Sequence, residues 1–324
     1  MLSLHTLPCS MAIHQRTTEI KSMAIRHGFD SVGIAQAAEL TEEAKRLEAW
    51  LNQGRHGSMG YMENHFDLRI DPRKLVEGAK SVISLMVNYY PEKTIHPSGV
   101  KVARYAYGKD YHKVIRKKLK ALVQEMKASY GDFNARVFVD SGPVMEREWA
   151  KRSGLGWIGK NTLLLSKGKG SFFFLAEIIC DLALIPDGPV KNYCGNCTKC
   201  IDACPTQAIV APYNIDASKC ISYLTIERKE SIDASSQKKL DGWIFGCDIC
   251  QEVCPINARS KPSQEEAFQA KSIVQEGKIE QWEEITREIF DEVFHDSPLR
   301  RRGYDKIKEN LSYWKSNLSD NASL

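Results

Sequence analysis

Residues 194–205 read CGNCTKCIDACP, a C-x2-C-x2-C-x3-C-P run, and residues 247–255 read CDICQEVCP, a shortened echo of it. With Cys220 between them, eight of the ten cysteines of this 324-residue chain lie between positions 194 and 254. A disulfide framework belongs to small secreted domains rather than to a chain of this length. Zinc sites commonly pair two C-x2-C units, and a third cysteine two residues on, then C-P, is not their spacing. Iron–sulfur chemistry remains. The long run is the bacterial ferredoxin pattern, in which three cysteines of one tight loop hold three corners of a cubane and the fourth serves the other cluster. Two [4Fe–4S] sites are therefore expected. One takes Cys194, Cys197, Cys200 and, crossing over, Cys254. The other takes Cys247, Cys250, Cys220 and, crossing over, Cys204, with Cys220 replacing the cysteine missing from the second triplet.

Such clusters move single electrons, so the chain is an electron carrier or an enzyme that consumes electrons. A carrier needs only residues 190–258, and residues 12–189 then have no purpose. The net charge of +4 gives no global polyanion signal. Locally, residues 101–127 hold nine Lys/Arg against Asp110 and Glu125, and residues 298–316 hold six against Asp305 and Glu309. These are solvated helix faces or polyanion contacts. The most apolar run, SFFFLAEIICDLALI (171–185), is too short to span a bilayer and carries Glu177 and Asp181. It reads as buried strand, with Cys180 a core residue. The first residues have neither the basic nor the apolar region of an export signal, so a cytoplasmic location without membrane contact is expected. Residues 1–11, with Cys9, read as a disordered leader, and Met11 is the expected start.

A helix is expected over 13–29, a short strand at 31–37, and a helix over 41–54 capped by Thr41 and stopped by Gly54. Strands follow at 81–90 and 100–107, a basic helix at 110–128, a strand at 135–140, a helix at 143–153 with Pro143 in its first turn, and a strand at 172–180. Strands and helices mix without βαβ alternation. The fold class is α+β: a mixed-sheet domain over 12–189, a ferredoxin-like module over 190–258, and a C-terminal helical segment over 259–324. The loop GLGWIG (154–159) fits a dinucleotide fingerprint by letter. It follows a helix and precedes a strand, the reverse of what a pyrophosphate needs, and Gly154 reads as the closing residue of the helix. In VFVDSGPVMERE (137–148), Asp140 ends a strand. The commoner reading is that Asp140 or Ser141 caps the next helix, with Glu146 helping at its start; the functional one is that Asp140 lines a cleft.

VDSGPVMEREWAKRSGLGWIGKNTLLL (139–165), CGNCTKCIDACPTQAI, CDICQEVCPIN, RYAYGKDYH (104–112) and GSMGYM (57–62) together resemble the epoxyqueuosine reductases, over roughly residues 12–310. The resemblance implies a cobalamin-binding domain of flavin-reductase-like or cobalamin-processing-like fold, two [4Fe–4S] clusters, and reduction of epoxyqueuosine at the wobble position of tRNA to queuosine. It implies Asp140 as proton donor, with a pKa raised by burial. Corrin contacts are implied for Glu63, Arg104, Asp140, Lys160, Asn161 and Ser222 and for the 57–64 loop. DYHKVI (110–115) has Ile115 where the cobalt-ligating D-x-H-x-x-G motif needs glycine, so no protein histidine on cobalt is expected. Arg300, Arg301 and Arg302, with the lysines of 113–120, become tRNA phosphate contacts. The family's longer members carry a C-terminal helical-repeat extension that this chain is too short to include. A monomer and an unidentified low-potential electron donor complete the expectation. A cobalamin-dependent reductive dehalogenase and a ferredoxin-type carrier are the alternatives.

Overall fold

The computed structural model describes residues 9–93 and 99–322, with side chains for 11–93 and 99–316. The first eight residues of the expected leader lie outside the described residues. Helix α1 (Cys9–Arg26) begins earlier than the sequence suggests and takes in residues 9–11.

The central sheet has the order β1-β2-β7-β4, built from β1 (Ser31–Gln36), β2 (Ser81–Asn88), β7 (Phe173–Cys180) and β4 (Ala135–Phe138). All three pairings are antiparallel. Parallel pairing occurs apart from it, between β3 (Lys101–Val102) and β10 (Trp243–Phe245). The mostly apolar β2, interrupted by Ser84, is buried on both faces. Ile83, Leu85 and Val87 pack with Ala176, Ile178 and Cys180 under α1 and the basic helix α4 (Tyr111–Tyr130), whose Ile115, Leu119, Leu122 and Met126 form the inward stripe. Cys180 is fully buried there, as a core residue should be. Val82, Ile179 and Phe138 face the other way, toward Leu40, Trp149 and Val144. Trp149 lies on α5 (Glu146–Arg152), which packs across this second face.

One glycine fixes how closely. Gly33 of β1 pairs with Ser84, which pairs with Glu177, which pairs with Phe138, so these four residues form one row facing α5. A Cβ on Gly33 would stand 2.1 Å from the carbonyl oxygen of Ser153, at the end of α5. The next residue, Gly154, has φ +78 and closes the helix. GLGWIG then enters a hairpin of β5 (Trp157–Ile158) and β6 (Leu164–Leu165). No helix opens from these glycines.

Three expectations shift. Thr41 is the first residue of α2 (Thr41–Asn52), behind Leu40, and makes no cap bond. The strand expected over 100–107 reduces to Lys101–Val102, because the Arg104 N–H goes to the Asp248 carboxylate at 2.8 Å instead of to a neighbouring strand. The polar C-terminal segment has a substantial core. Trp282, Phe290, Phe294, Leu299, Ile307 and Leu311 pack against Val102, Tyr107, Ile226, Ile244 and Phe245. Fully buried Asn310, on α12 (Gly303–Ala322), donates to the carbonyls of Thr225 (3.0 Å) and Ile244 (2.9 Å). The segment is thereby tied to the stretch between Cys220 and Cys247. Among the described residues no helix is long and apolar enough to cross a membrane.

Candidate active site

Strand β4 stops at Phe138, and Asp140 follows with φ +56, a left-handed conformation that a non-glycine residue holds only when its surroundings enforce it. The enforcement is visible. Glu146 Oε1 accepts the Asp140 backbone N–H at 2.5 Å. The helix expected from Pro143 therefore starts only at Glu146, with Met145 before it and no side-chain cap. Glu146 braces the corner instead of the helix. Asp140 Oδ2 accepts the Tyr111 hydroxyl at 2.8 Å and lies 3.1 Å from His112 Nε2. His112 Nδ1 is 2.8 Å from Asp110 Oδ1, which also accepts the His112 N–H as the cap of α4. The start of α4 thus aims Tyr111 and His112 at Asp140.

These contacts reverse one expectation. Burial pushes the Asp140 carboxyl up, but the hydrogen bonds from His112 and Tyr111, with the charges of His112 and Arg301, outweigh it and hold the carboxyl below its ordinary value. Burial pushes His112 down, but its bonds to Asp110 and Asp140 and their charges raise it to about 9. At neutral pH the proton rests on the imidazole and Asp140 is a carboxylate.

The Asp140 side chain is 47% exposed, yet desolvation is the largest influence on it. Glu146 and Arg147 likewise keep surface in contact with solvent while burial dominates their ionisation. Both observations describe groups that solvent reaches but that protein largely surrounds, as on the wall of a cleft. At the rim, Tyr61 is 48% exposed. Its phenol is pushed up to about 12, by burial first and then by the Glu227 charge, with Asp140 adding and Arg301 opposing. Of the three adjacent arginines, Arg301 acts on Asp140 and lies 3.9 Å from Glu227. Arg300 donates to the His295 carbonyl and Arg302 to the Arg228 carbonyl, both at 3.1 Å.

The cysteines gather in two groups. Cys200, its thiol pushed up by burial, has Cys254, Cys194 and Cys197 as its charged neighbours. Half-buried Cys250 has Cys220, Cys200 and Cys204 among its neighbours, so the two groups adjoin there, and Cys247 has Cys220 and Cys250. Two short helices, α6 (Lys199–Asp202) with Cys200 and α8 (Ile249–Glu252) with Cys250, pack together. Among the described residues no three His, Cys, Asp or Glu converge closely enough for a single ion. Hydrogen bonds reach the sulfurs from outside: Trp157 Nε1–H to Cys194 Sγ at 3.4 Å and the Ala208 N–H to Cys204 Sγ at 3.3 Å.

Comparison with known proteins agrees. A family model described as "Epoxyqueuosine reductase QueG" matches residues 69–141, and one described as "4Fe-4S double cluster binding domain" matches residues 193–257. The epoxyqueuosine reductase of Cyclobacterium marinum is 54% identical over 95% of this chain and 99% of its own. The chain belongs to the epoxyqueuosine reductase family. The Escherichia coli epoxyqueuosine reductase is 39% identical over 93% of this chain and 80% of its own. The crystal structure of an epoxyqueuosine reductase with an epoxyqueuosine-modified tRNA-Tyr stem loop superposes with a TM-score of 0.86 and 31% identity, over 92% of this chain and 80% of that one. A catabolic reductive dehalogenase reaches a TM-score of only 0.49 at 16% identity, too distant to carry that alternative. Membership of an enzyme family also removes the bare electron carrier.

For a member of this family the expected site residues divide. Asp140 is at the cleft. Arg104 is engaged elsewhere: its Nη1 lies 3.0 Å from Asp248 and 2.8 Å from Glu252, bracing the second cysteine loop. Lys160 Nζ donates to the Cys197 carbonyl at 2.9 Å, and Asn161 Nδ2 reaches the Cys250 carbonyl at 3.4 Å. Three of the residues expected to hold a corrin thus have side chains spent on the cysteine loops. Glu63 pairs with His56 at 3.0 Å, and Ser222 precedes a π-helical turn over Tyr223–Glu227. Sequence reasoning missed Tyr111, His112 and Glu177. The only signal for His112 was the failed D-x-H motif, whose histidine meets Asp140.

Proposed function

We propose that the chain reduces the epoxide of epoxyqueuosine in tRNA to the alkene of queuosine, with loss of water. The step takes up two electrons and two protons. The observation that carries this reading is Asp140, held in a left-handed corner with its Oδ2 between Tyr111 and His112, in a chain that carries the eight-cysteine spacing of a double-cluster module. The reading assigns one tetrad to Cys194, Cys197, Cys200 and Cys254 and the other to Cys204, Cys220, Cys247 and Cys250.

The residues present also fit a cobalamin. The loop at 55–63 runs from the second tetrad, where the Arg55 carbonyl accepts from Ala217 and Ser58 meets Tyr223, to Tyr61 beside Asp140. Buried Arg55 Nη1 and His56 Nδ1 have no hydrogen-bond partner in the protein, as donors awaiting a polar cofactor would not. Arg55, His56, Glu63 and Ser222 would hold it. Bound there, cobalamin would supply the reducing chemistry at the epoxide, fed one electron at a time by the clusters. Asp140 stands where a proton is needed by the departing oxygen. Because Asp140 is ionised, His112 is the source that loads it, and Tyr111 keeps the receiving oxygen in place. Arg301 at the rim offers a phosphate contact beside the entering nucleotide, whose base must be splayed out to reach the floor. The exposed Lys113, Arg116, Lys117 and Lys120 give a broader electrostatic surface. The same reading places the enzyme in the cytoplasm, as a monomer supplied by a low-potential one-electron donor.

The test uses protein purified without oxygen, supplied with cobalamin and a reductant, and incubated with tRNA carrying epoxyqueuosine. Nucleoside digestion should show queuosine. Asp140→Ala should keep both clusters and cobalamin and lose about 10³-fold in turnover. Failure of the wild-type chain to convert the nucleoside overturns the reaction; near-normal turnover by the variant overturns the role of Asp140.

A further inference from the structure

Behind Asp140 lies a second acidic device that this chemistry does not use. Glu177 belongs to β7 and is fully buried in the middle of the sheet. A lone glutamate in the row Gly33, Ser84, Glu177, Phe138 is costly, because neither carboxyl oxygen accepts a hydrogen bond, and the Ser84 hydroxyl beside it is also without a partner. Across the row lies α5, with Glu146 at its first position. The two carboxyls are close enough that Glu146 is both the charge and the hydrogen-bonding partner acting on Glu177. The proximity and the missing bond are compatible: two carboxylates have no hydrogen to share, and a proton added to either one supplies it. Burial first pushes both carboxyls well above the ordinary range, followed by the Asp140 charge for Glu146 and the Glu146 charge for Glu177, so the pair keeps its protons at neutral pH.

We propose that Glu146 and Glu177 form a proton-sharing pair of carboxylic acids that positions Asp140, holding its strained backbone through the 2.5 Å bond from the Asp140 N–H to Glu146 Oε1. The inference rests on the reductase reading above only for what Asp140 does. Glu177 is the interior member and Glu146 the member on the cleft wall, where a proton can leave. The charged and titratable groups facing Glu146 are the Asp140 carboxylate, Glu177, and the Arg147 guanidinium of its own helix, with Tyr111 beyond Asp140. Arg147 does not neutralise the pair, since its Nη1 is turned to the Thr162 carbonyl at 2.6 Å. Loss of the pair's proton sets a new negative charge against the Asp140 carboxylate in a poorly solvated place. The corner then has a reason to leave. A Bacillus subtilis epoxyqueuosine reductase has been crystallised with its aspartate-bearing catalytic loop swung out of the active site, so a loop of this family has such a second position.

The test has two arms. Infrared spectra of the holoenzyme at pH 7 to 8 should contain a carbonyl band of un-ionised carboxylic acid that is diminished in Glu146→Gln and in Glu177→Gln. No such band in the wild type, or one unaltered in both variants, overturns the proposal whether or not the protein reduces epoxyqueuosine. In the activity arm, Glu146→Ala, which cannot hold the Asp140 amide, should lose about a hundred-fold in kcat with KM for the tRNA within a few-fold. Glu146→Gln, whose amide oxygen can still accept that N–H, should recover most of the loss and shift the alkaline fall in kcat to higher pH, leaving the limb that belongs to His112. Equal activity in the Ala and Gln variants, or an alkaline limb that does not move, shows that Glu146 does not position Asp140. Absence of turnover in the wild type indicts the reductase reading, and the infrared arm still decides the pair.

Discussion

The loading of Asp140 by His112 makes a quantitative prediction for Asp140→Asn. His112 is raised from 6.5 to about 9, equivalent to roughly 3 kcal/mol in favour of the imidazolium at about 1.4 kcal/mol per pH unit. That preference survives the penalty of burial and is shared by two carboxylates, Asp110 at 2.8 Å and Asp140 at 3.1 Å. The Asp140 side chain is about half exposed, so solvent screens its share, and Asp110, on the same helix, remains in the variant. Removing the Asp140 charge should therefore lower the His112 midpoint by about one pH unit, roughly 1.4 kcal/mol. The assay is an NMR titration of selectively labelled histidine in the oxidised holoenzyme, with His112→Gln assigning the signal. Wild-type His112 should stay protonated through pH 8, and the Asn variant should titrate near 8. The sign for stability is set by the raised folded value. The contribution of His112 is complete below about pH 6.5 and is lost as pH rises through about 9. A wild-type midpoint near 6.5, or one that Asp140→Asn leaves in place, would refute the assignment of the proton to the imidazole.

Three further predictions concern other parts of the molecule. Trp157→Phe removes the N–H bond to Cys194 Sγ and should make one cluster harder to reduce, its potential moving to a more negative value in an EPR-monitored redox titration while the second cluster is unaffected; two unchanged potentials would show the bond to be without influence. Gly33→Ala puts a methyl group 2.1 Å from the Ser153 carbonyl oxygen and should destabilise the protein by about 3 kcal/mol, seen as a lowered Tm, because the clash is with backbone and not with a side chain that can turn away; an unaltered Tm would mean that α5 does not rest on β1 as described. Arg301→Ala should weaken binding of the tRNA stem loop and reduce the slope of log Kd against log salt by about one, the signature of one lost phosphate contact. An undiminished slope would place Arg301 away from the RNA.

Much of the chemistry was legible in the linear chain, for a local reason. In C-x2-C-x2-C the ligands sit on a single loop, so their spacing is already their geometry, and even Cys220, 16 residues beyond Cys204, could be assigned by counting. The reversed polarity of GLGWIG was equally local: a helix before it, a hairpin after it, and a glycine at φ +78 closing the helix. The resemblance found Asp140 in the same way, through the contiguous stretch that contains it.

The state of Asp140 was not legible, because each of its neighbours comes from a different element. His112 and Tyr111 arrive on α4, Glu146 on α5, Glu177 on β7, and Arg301 on the C-terminal segment that Asn310 ties to the rest of the fold. A pKa is a sum of short-range terms that depend on burial and on the nearest charges, and no spacing rule carries those terms across the sequence. By itself the sequence determined the double-cluster cysteine pattern and singled out Asp140 within the family's contiguous stretch. Only the tertiary structure decided where the proton rests, which of the expected corrin residues are spent on the cysteine loops, and that two glutamates, one at each end of the stretch between positions 146 and 177, share a single site.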